Sequence, residues 1–259
     1  RTEKDALGEV EVPHDAYFGA FTVRAQSQFN LSGEKAPREF IWALGMIKAA
    51  AAEVNTRLGL IEKNIGDAIV KAAQEFAQGK FDDSFPLDIF QAGAGTPFHM
   101  NTNEVIANRA EEILGGTKGT YISVHPNNHV NMGQSSNDVI PTAIRLTMLK
   151  LMESLIPEIE SLVRSLRVKA KDARGIVKVG RTHLEDAVPM TVEQEIDAWA
   201  SALYRTVNLL KKANEELLEL PIGGTALGTG ITAHPRFQNE IVRQLGSITR
   251  YPLKPADYP

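Results

Sequence analysis

The chain has 259 residues, a formal net charge of -4, 43% hydrophobic residues and no cysteine. That acidic balance argues against nucleic acid or an anionic membrane surface as main partner, since both call for clustered Lys and Arg, and no apolar run approaches the roughly 18 to 20 residues that span a bilayer. Without cysteine there are no disulfides, no thiolate catalysis and no thiolate metal sites, which fits a reducing, cytoplasmic setting.

Along the chain, the first 36 residues are broken by Gly8, Pro13, Gly19 and Gly33 and read as an irregular arm or short strands. Pro37 suits the first position of a helix. Phe40, Leu44, Ile47 and Ala51 recur at helical spacing up to a stop near Gly59, and Ile65 to Phe76 repeats the pattern. Gly79 to Met100 is turn-like, and a further helix is predicted from Asn103 to Leu114. From Asp138 to about Lys171, Ile144, Met148, Leu151, Leu155, Ile159, Leu162 and Leu166 form one stripe at steps of three and four. At about 1.5 Å per residue this helix spans about 50 Å, with Pro157 as a point where it can kink. A second long helix is predicted from Pro189 to Leu220, and a short one from Phe237 to Leu245. The closing string Tyr251 to Pro259 reads as a loop that closes no structure, and the chain reads as part of a longer polypeptide. The expectation is a mainly α fold, with an N-terminal helical domain at 1–136 and a long-helix bundle at 137–259. Helices this long need partners of similar length, so the bundle is expected to be completed by other subunits.

Four segments between helices are rich in glycine, hydroxyls and amides. They are Gln91 to Thr96, His125 to Asn131 with Gln134 to Asp138, Gly180 to Asp186, and Gly223 to Gly230. The run Ser135-Ser136-Asn137-Asp138 stands at the start of the long helix, where free backbone N–H groups and the helix dipole favour a carboxylate or phosphate. Capping accounts for one such residue, and four in succession suggest a ligand. Gly93 to Thr96 resembles half a dinucleotide loop but lacks a βαβ frame, so no nucleotide cofactor is expected. His125 and His129 have a metal-like spacing, yet Pro126 lies between them and no cysteine or well-placed acid completes a set, so no metal is expected either. His183, beside Thr182 and followed by Glu185 and Asp186, is open to two readings, an imidazole oriented for chemistry or a structural histidine. Ser135 and Ser136 suit binding more than nucleophilic attack. The residues by themselves describe a helical protein with polar loops suited to a small anion.

Taken in order, these segments resemble the fumarase/aspartase superfamily. The resemblance runs from Arg1-Thr-Glu-Lys-Asp5 and Leu7-Gly-Glu-Val-Glu-Val-Pro13 through Gln134-Ser-Ser-Asn-Asp138, Gly180-Arg-Thr-His183 and Asp186-Ala-Val-Pro189 to Gly224-Thr-Ala-Leu-Gly-Thr-Gly230. It implies elimination of a group from the position β to a carboxylate, commonly releasing fumarate, with no cofactor. It also implies a central bundle of long helices that builds a homotetramer, whose active sites are each shared between three subunits. Carried over to this chain, Thr96, Ser135, Ser136, Asn137 and Thr182 are expected to hold the substrate. His183 is expected to act at the reacting centre, and His125 with Asn127 resembles a peripheral dicarboxylate site. The mobile Gly-Ser-Ser loop that carries the family's general base does not occur in this sequence. Asp15-Ala-Tyr-Phe-Gly19 and Phe85-Pro-Leu-Asp-Ile-Phe-Gln-Ala-Gly-Ala-Gly-Thr96 look more like the aspartate ammonia-lyase branch, with L-aspartate as substrate. Ser136 is fumarase-like, which keeps a class II fumarase acting on L-malate as the alternative, and Pro97-Phe-His99 departs from the pattern common in aspartases. A reading of another class is a non-catalytic helical assembly protein.

Overall fold

The apolar spacing becomes helices joined by short strands in a computed structural model that describes all residues, Arg1–Pro259. It starts with an antiparallel hairpin, β1 (Thr2–Asp5) and β2 (Gly8–Glu11), with Thr2 opposite Glu11 and Asp5 opposite Gly8. A helix the glycine-broken text did not announce follows, α1 (Ala20–Gln28). Its first turn is capped from a distance. The buried carboxylate of Glu104 accepts hydrogen bonds from the N–H groups of Gly19, Phe21 and Thr22 and from the Thr22 hydroxyl, at 2.6 to 3.1 Å. A cap lent by another element leaves no local signal in the sequence.

Helix α2 (Arg38–Arg57) has Pro37 at its N-cap, one place outside the position expected. It packs on α3 (Lys63–Ala77) across small residues: a Cβ on Gly45 would lie 2.8 Å from that of Ala77. Helix α4 (Thr96–Ile113) starts at Thr96 rather than Asn103, because Pro97 sits in a first turn where its missing N–H costs nothing. Phe98 fixes that turn by stacking on Phe85 at 5.2 Å between ring centroids, with Phe40 and Phe76 edge-on nearby.

Helix α5 (Ser136–Asp172) runs without interruption through Pro157. The second long helix is shorter than expected. Pro189 lies in a strand, not a helix, because β3 (Val177–Thr182) and β4 (Glu185–Thr191) form a hairpin with Val179 opposite Pro189. The β-branched Val177, Val179 and Val188 suit a pleated ribbon. Helix α6 (Val192–Leu217) is then opened by a capping box, in which Gln194 N–H donates to Thr191 Oγ1 and Thr191 N–H to Gln194 Oε1. After β5 (Glu219–Leu220) and α7 (Phe237–Thr249), the string Tyr251 to Pro259 does close structure. It contributes β6 (Lys254–Pro255), parallel to β5, and Ala256 N–H donates to Leu220 O.

By compactness the chain forms two units, one of Arg1–Thr147 with Leu218–Pro259, the other Met148–Leu217. The first encloses Leu44, Ile47, Ile69, Phe76, Ile106 and Phe237, all fully buried. In the second, α5 and α6 run antiparallel, with Glu160 paired to Lys211 at 2.6 Å and the Arg167 guanidinium 5.2 Å from the Tyr204 ring centre. Val163 and Ala170 on α5 and Ala200 and Val207 on α6 are buried. The stripe read from the sequence faces outward in the single chain, with Met148, Leu151, Leu155 and Leu162 between 40% and 48% exposed. No helix is long and apolar enough to cross a membrane.

Candidate active site

Two helix N-termini meet in the first unit. Gly95 precedes α4 in a left-handed conformation (φ +67°), and a Cβ there would lie 3.0 Å from the Ile140 side chain, so the two helix starts approach as closely as a glycine allows. The loop before Thr96 is tied down on both sides. Gln91 accepts from Phe98 N–H at 3.1 Å and donates to Asp88 O at 2.9 Å. The Asp88 carboxylate accepts from the N–H groups of Leu31, Ser32, Gly33 and Phe90 and from the Ser32 hydroxyl. Burial alone would raise its pKa, but these hydrogen bonds outweigh it and hold the carboxyl well below the ordinary aspartate range.

The start of α5 is a capping box. Ser135 Oγ accepts from Asn137 N–H at 3.3 Å, and Asp138 Oδ1 accepts from Ser135 N–H at 2.9 Å. Asp138, 2% exposed, also accepts from the N–H groups of Gly223 and Thr225 through its other oxygen, and Asn137 donates to Ala226 O. The segment from Gly223 is thereby fastened against the helix that carries Ser136. Burial raises the Asp138 pKa, its N–H partners opposing this.

Beneath these helix starts lies a group that the sequence reading passed over. Lys48, on the buried face of α2, places Nζ 2.7 Å from His99 Nε2, 2.8 Å from Gln134 Oε1 and 3.3 Å from Asn131 Oδ1. His99 Nδ1 lies 2.9 Å from Ser136 Oγ. Burial lowers both pKa values well below the ordinary lysine and histidine ranges. Asp138 partly offsets this for Lys48, and the neighbouring Lys48 deepens it for His99. One signal was available: Lys48 shares the helical face of Leu44, Ile47 and Ala51, where a lysine has no reason to be without partners.

Of the expected ligand residues, Thr96, Ser135, Ser136 and Asn137 therefore gather at one place in the first unit. His125 and Asn127, also in that unit, stand at a π-helical turn (Pro126–Val130), where His125 Nδ1 accepts from the N–H groups of Asn127 and Asn128. The cavity beside them, about 260 Å³, is lined by Glu3, Asp5 and Glu104 as well as Lys4. Thr182 and His183 belong to the second unit. His183 and Leu184 form the two-residue turn of the β3–β4 hairpin with φ of +50° and +65°, a turn that ordinarily takes Asn and Gly. Both side chains are exposed, and backbone held in this region by a histidine and a leucine is strain of the kind that collects at functional positions.

Clustered donors at paired helix starts, over a buried lysine, suit a small dianion. The family described as lyase matches residues 8–258. The chain is 50% identical over 260 residues to a class II fumarate hydratase of Thermus aquaticus, covering 99% of this chain and 56% of that protein. It is 45% identical over 258 residues to an aspartate ammonia-lyase of Bacillus subtilis, covering 100% and 54%. A crystal structure of fumarate lyase:delta crystallin from Brucella melitensis, bound to cobalt, superposes with a TM-score of 0.93 at 40% identity, over 100% of this chain and 56% of that one. The chain thus spans little more than half the length of the relatives it matches. On the fold, the ordered segments and the family match, the chain belongs to the lyases of the fumarase/aspartase superfamily.

Proposed function

We propose that the chain serves a lyase that eliminates ammonia from L-aspartate to give fumarate, with Thr96, Ser136 and Asn137 binding the substrate's carboxylates and leaving group. The observation that carries this is the convergence of the α4 and α5 starts on Ser136, which the His99 ring holds in place. Removing a proton beside a carboxylate builds further negative charge on that carboxylate. Hydroxyl, amide and helix N-terminal donors fixed in advance lower the barrier, since they need no reorganisation when the charge develops. Thr182 and His183 act on the same substrate from the hairpin tip, His183 orienting its charged groups. The residue that takes the proton is the serine of a Gly-Ser-Ser loop, a string absent from this chain. The enzyme is a cytoplasmic homotetramer with sites shared between subunits, and the outward apolar stripe of α5 supports the association of chains.

A second reading, dehydration of L-malate by a class II fumarase, is favoured by Ser136 following Ser135 and by the 50% identity to the Thermus aquaticus enzyme. The two part in one assay. Incubating the complete gene product separately with L-aspartate and L-malate, and following fumarate by ultraviolet absorbance, is expected to give fumarate from aspartate. Fumarate from malate alone would replace the first reading by the second, and none from either would sink both. In the same enzyme His183→Ala is expected to lower kcat by about a hundredfold, as when a bound substrate loses a group that positions it, with the tetramer intact. Unchanged kinetics would remove His183 from the mechanism.

A further inference from the structure

Lys48 and His99 touch no surface that a substrate could reach, yet they form a continuous line of polar contacts ending on Ser136. The amide orientations in that line are set by their neighbours. Gln134 Nε2 donates to Val130 O and Met132 O, and Asn131 Nδ2 donates to Gln134 O, so both amides turn their oxygens toward Lys48 Nζ. Nζ thus meets the two amide oxygens and His99 Nε2, three partners for the three hydrogens of an ammonium group. Burial disfavours the charged form of this lysine and lowers its pKa, while the Asp138 charge and the two amide oxygens around Nζ favour that form. With Nζ donating to Nε2, the neutral imidazole carries its one hydrogen on Nδ1, and that hydrogen points at Ser136 Oγ, 2.9 Å away. A hydroxyl oxygen that is already accepting has its own hydrogen turned elsewhere.

We infer that Lys48 and His99 are positioning residues that make Ser136 an obligate hydrogen-bond donor toward the ligand, so that its hydroxyl selects an anionic oxygen. The inference rests on the dicarboxylate reading for the ligand's identity, but the hydrogen-bond direction stands on this chain alone. Removal of the Lys48 proton reverses the line. Nε2–H then donates to the lysine amine, Nδ1 becomes an acceptor, and the Ser136 hydroxyl turns inward to satisfy it. Lys48 therefore sets what Ser136 offers without approaching the substrate.

The test reads the imidazole directly. In the protein labelled with 15N-histidine, long-range 1H–15N spectra at neutral pH are expected to report His99 as neutral with its proton on Nδ1. A proton on Nε2 alone would overturn the inference in the wild-type protein, whatever the variants do. In Lys48→Met the tautomer is expected to switch to Nε2–H, and an unchanged Nδ1–H tautomer in a folded variant would remove Lys48 from the assignment. Succinate is the ligand probe. His99→Phe is expected to weaken succinate binding about tenfold, the worth of one hydrogen bond, while His99→Asn, which keeps a donor near the Nδ1 position, restores most of it. Equal loss in both variants would mean that His99 only fills space. If the wild-type tautomer is Nδ1–H but succinate moves no resonance of Ser136 or Asn137, the dicarboxylate reading fails and the Lys48–His99 line stands without it.

Discussion

Single residues at this site are held by bonds whose strength depends on conformation or on charge. At Gly95 the left-handed backbone and the contact with Ile140 together exclude a side chain. Gly95→Ala is expected to cost about 1 to 2 kcal/mol in urea unfolding, from the φ value alone, and an unchanged midpoint would mean that the loop relaxes freely. Asp88 gives a pH dependence with a definite sign. Its folded pKa is depressed, so its contribution is present above the unfolded value near 4 and is lost as pH falls below it. Amide exchange at Leu31, Ser32 and Gly33 is therefore expected to accelerate in acid beyond the intrinsic rate, and Asp88→Asn to abolish the acid dependence. Thr96 came from the family resemblance, the start of α4 being predicted at Asn103, whereas Ser135, Ser136 and Asn137 were legible in the sequence because they stand at a helix start. The supporting line was not, because Lys48, His99 and Gln134 come from three places in the chain and only packing puts them in contact.

Among elements, the β3–β4 hairpin shows where local patterning misled. Apolar residues from Pro189 onward fit a helical period, but the strand ends at Thr191, where the capping box with Gln194 fixes the helix start. The same signature, a hydroxyl residue followed three places later by Gln, stands in the sequence and would have located α6 correctly. At the hairpin tip, Leu184 is 94% exposed with φ +65°, a conformation that glycine adopts without penalty. Leu184→Gly is expected to stabilise the hairpin by about 1 kcal/mol, read as slower amide exchange in β3 and β4. Faster exchange would mean that the leucine side chain, not backbone strain, governs the turn.

At the scale of the whole molecule, the outward apolar stripe is the dominant feature. Leu155 is 44% exposed in the single chain, so Leu155→Asp is expected to leave the circular dichroism unchanged while abolishing association in light scattering. Retained assembly would place the contact surface elsewhere. The sequence by itself determined the helical class, the long α5 with its single apolar face, the family and the hydroxyl and amide residues at the α5 start, since periodicity, capping chemistry and motif order are written locally. Tertiary structure decided the rest. It made α1 a helix through the remote cap of Glu104, drew the Tyr251 to Pro259 string into a pair with β5, and joined Lys48 to Ser136 through His99. The physical reason is common to all three. Buried N–H groups, carbonyls and charges must find partners wherever the fold offers them, and a partner lent from a distant element leaves no mark beside the residue that needs it.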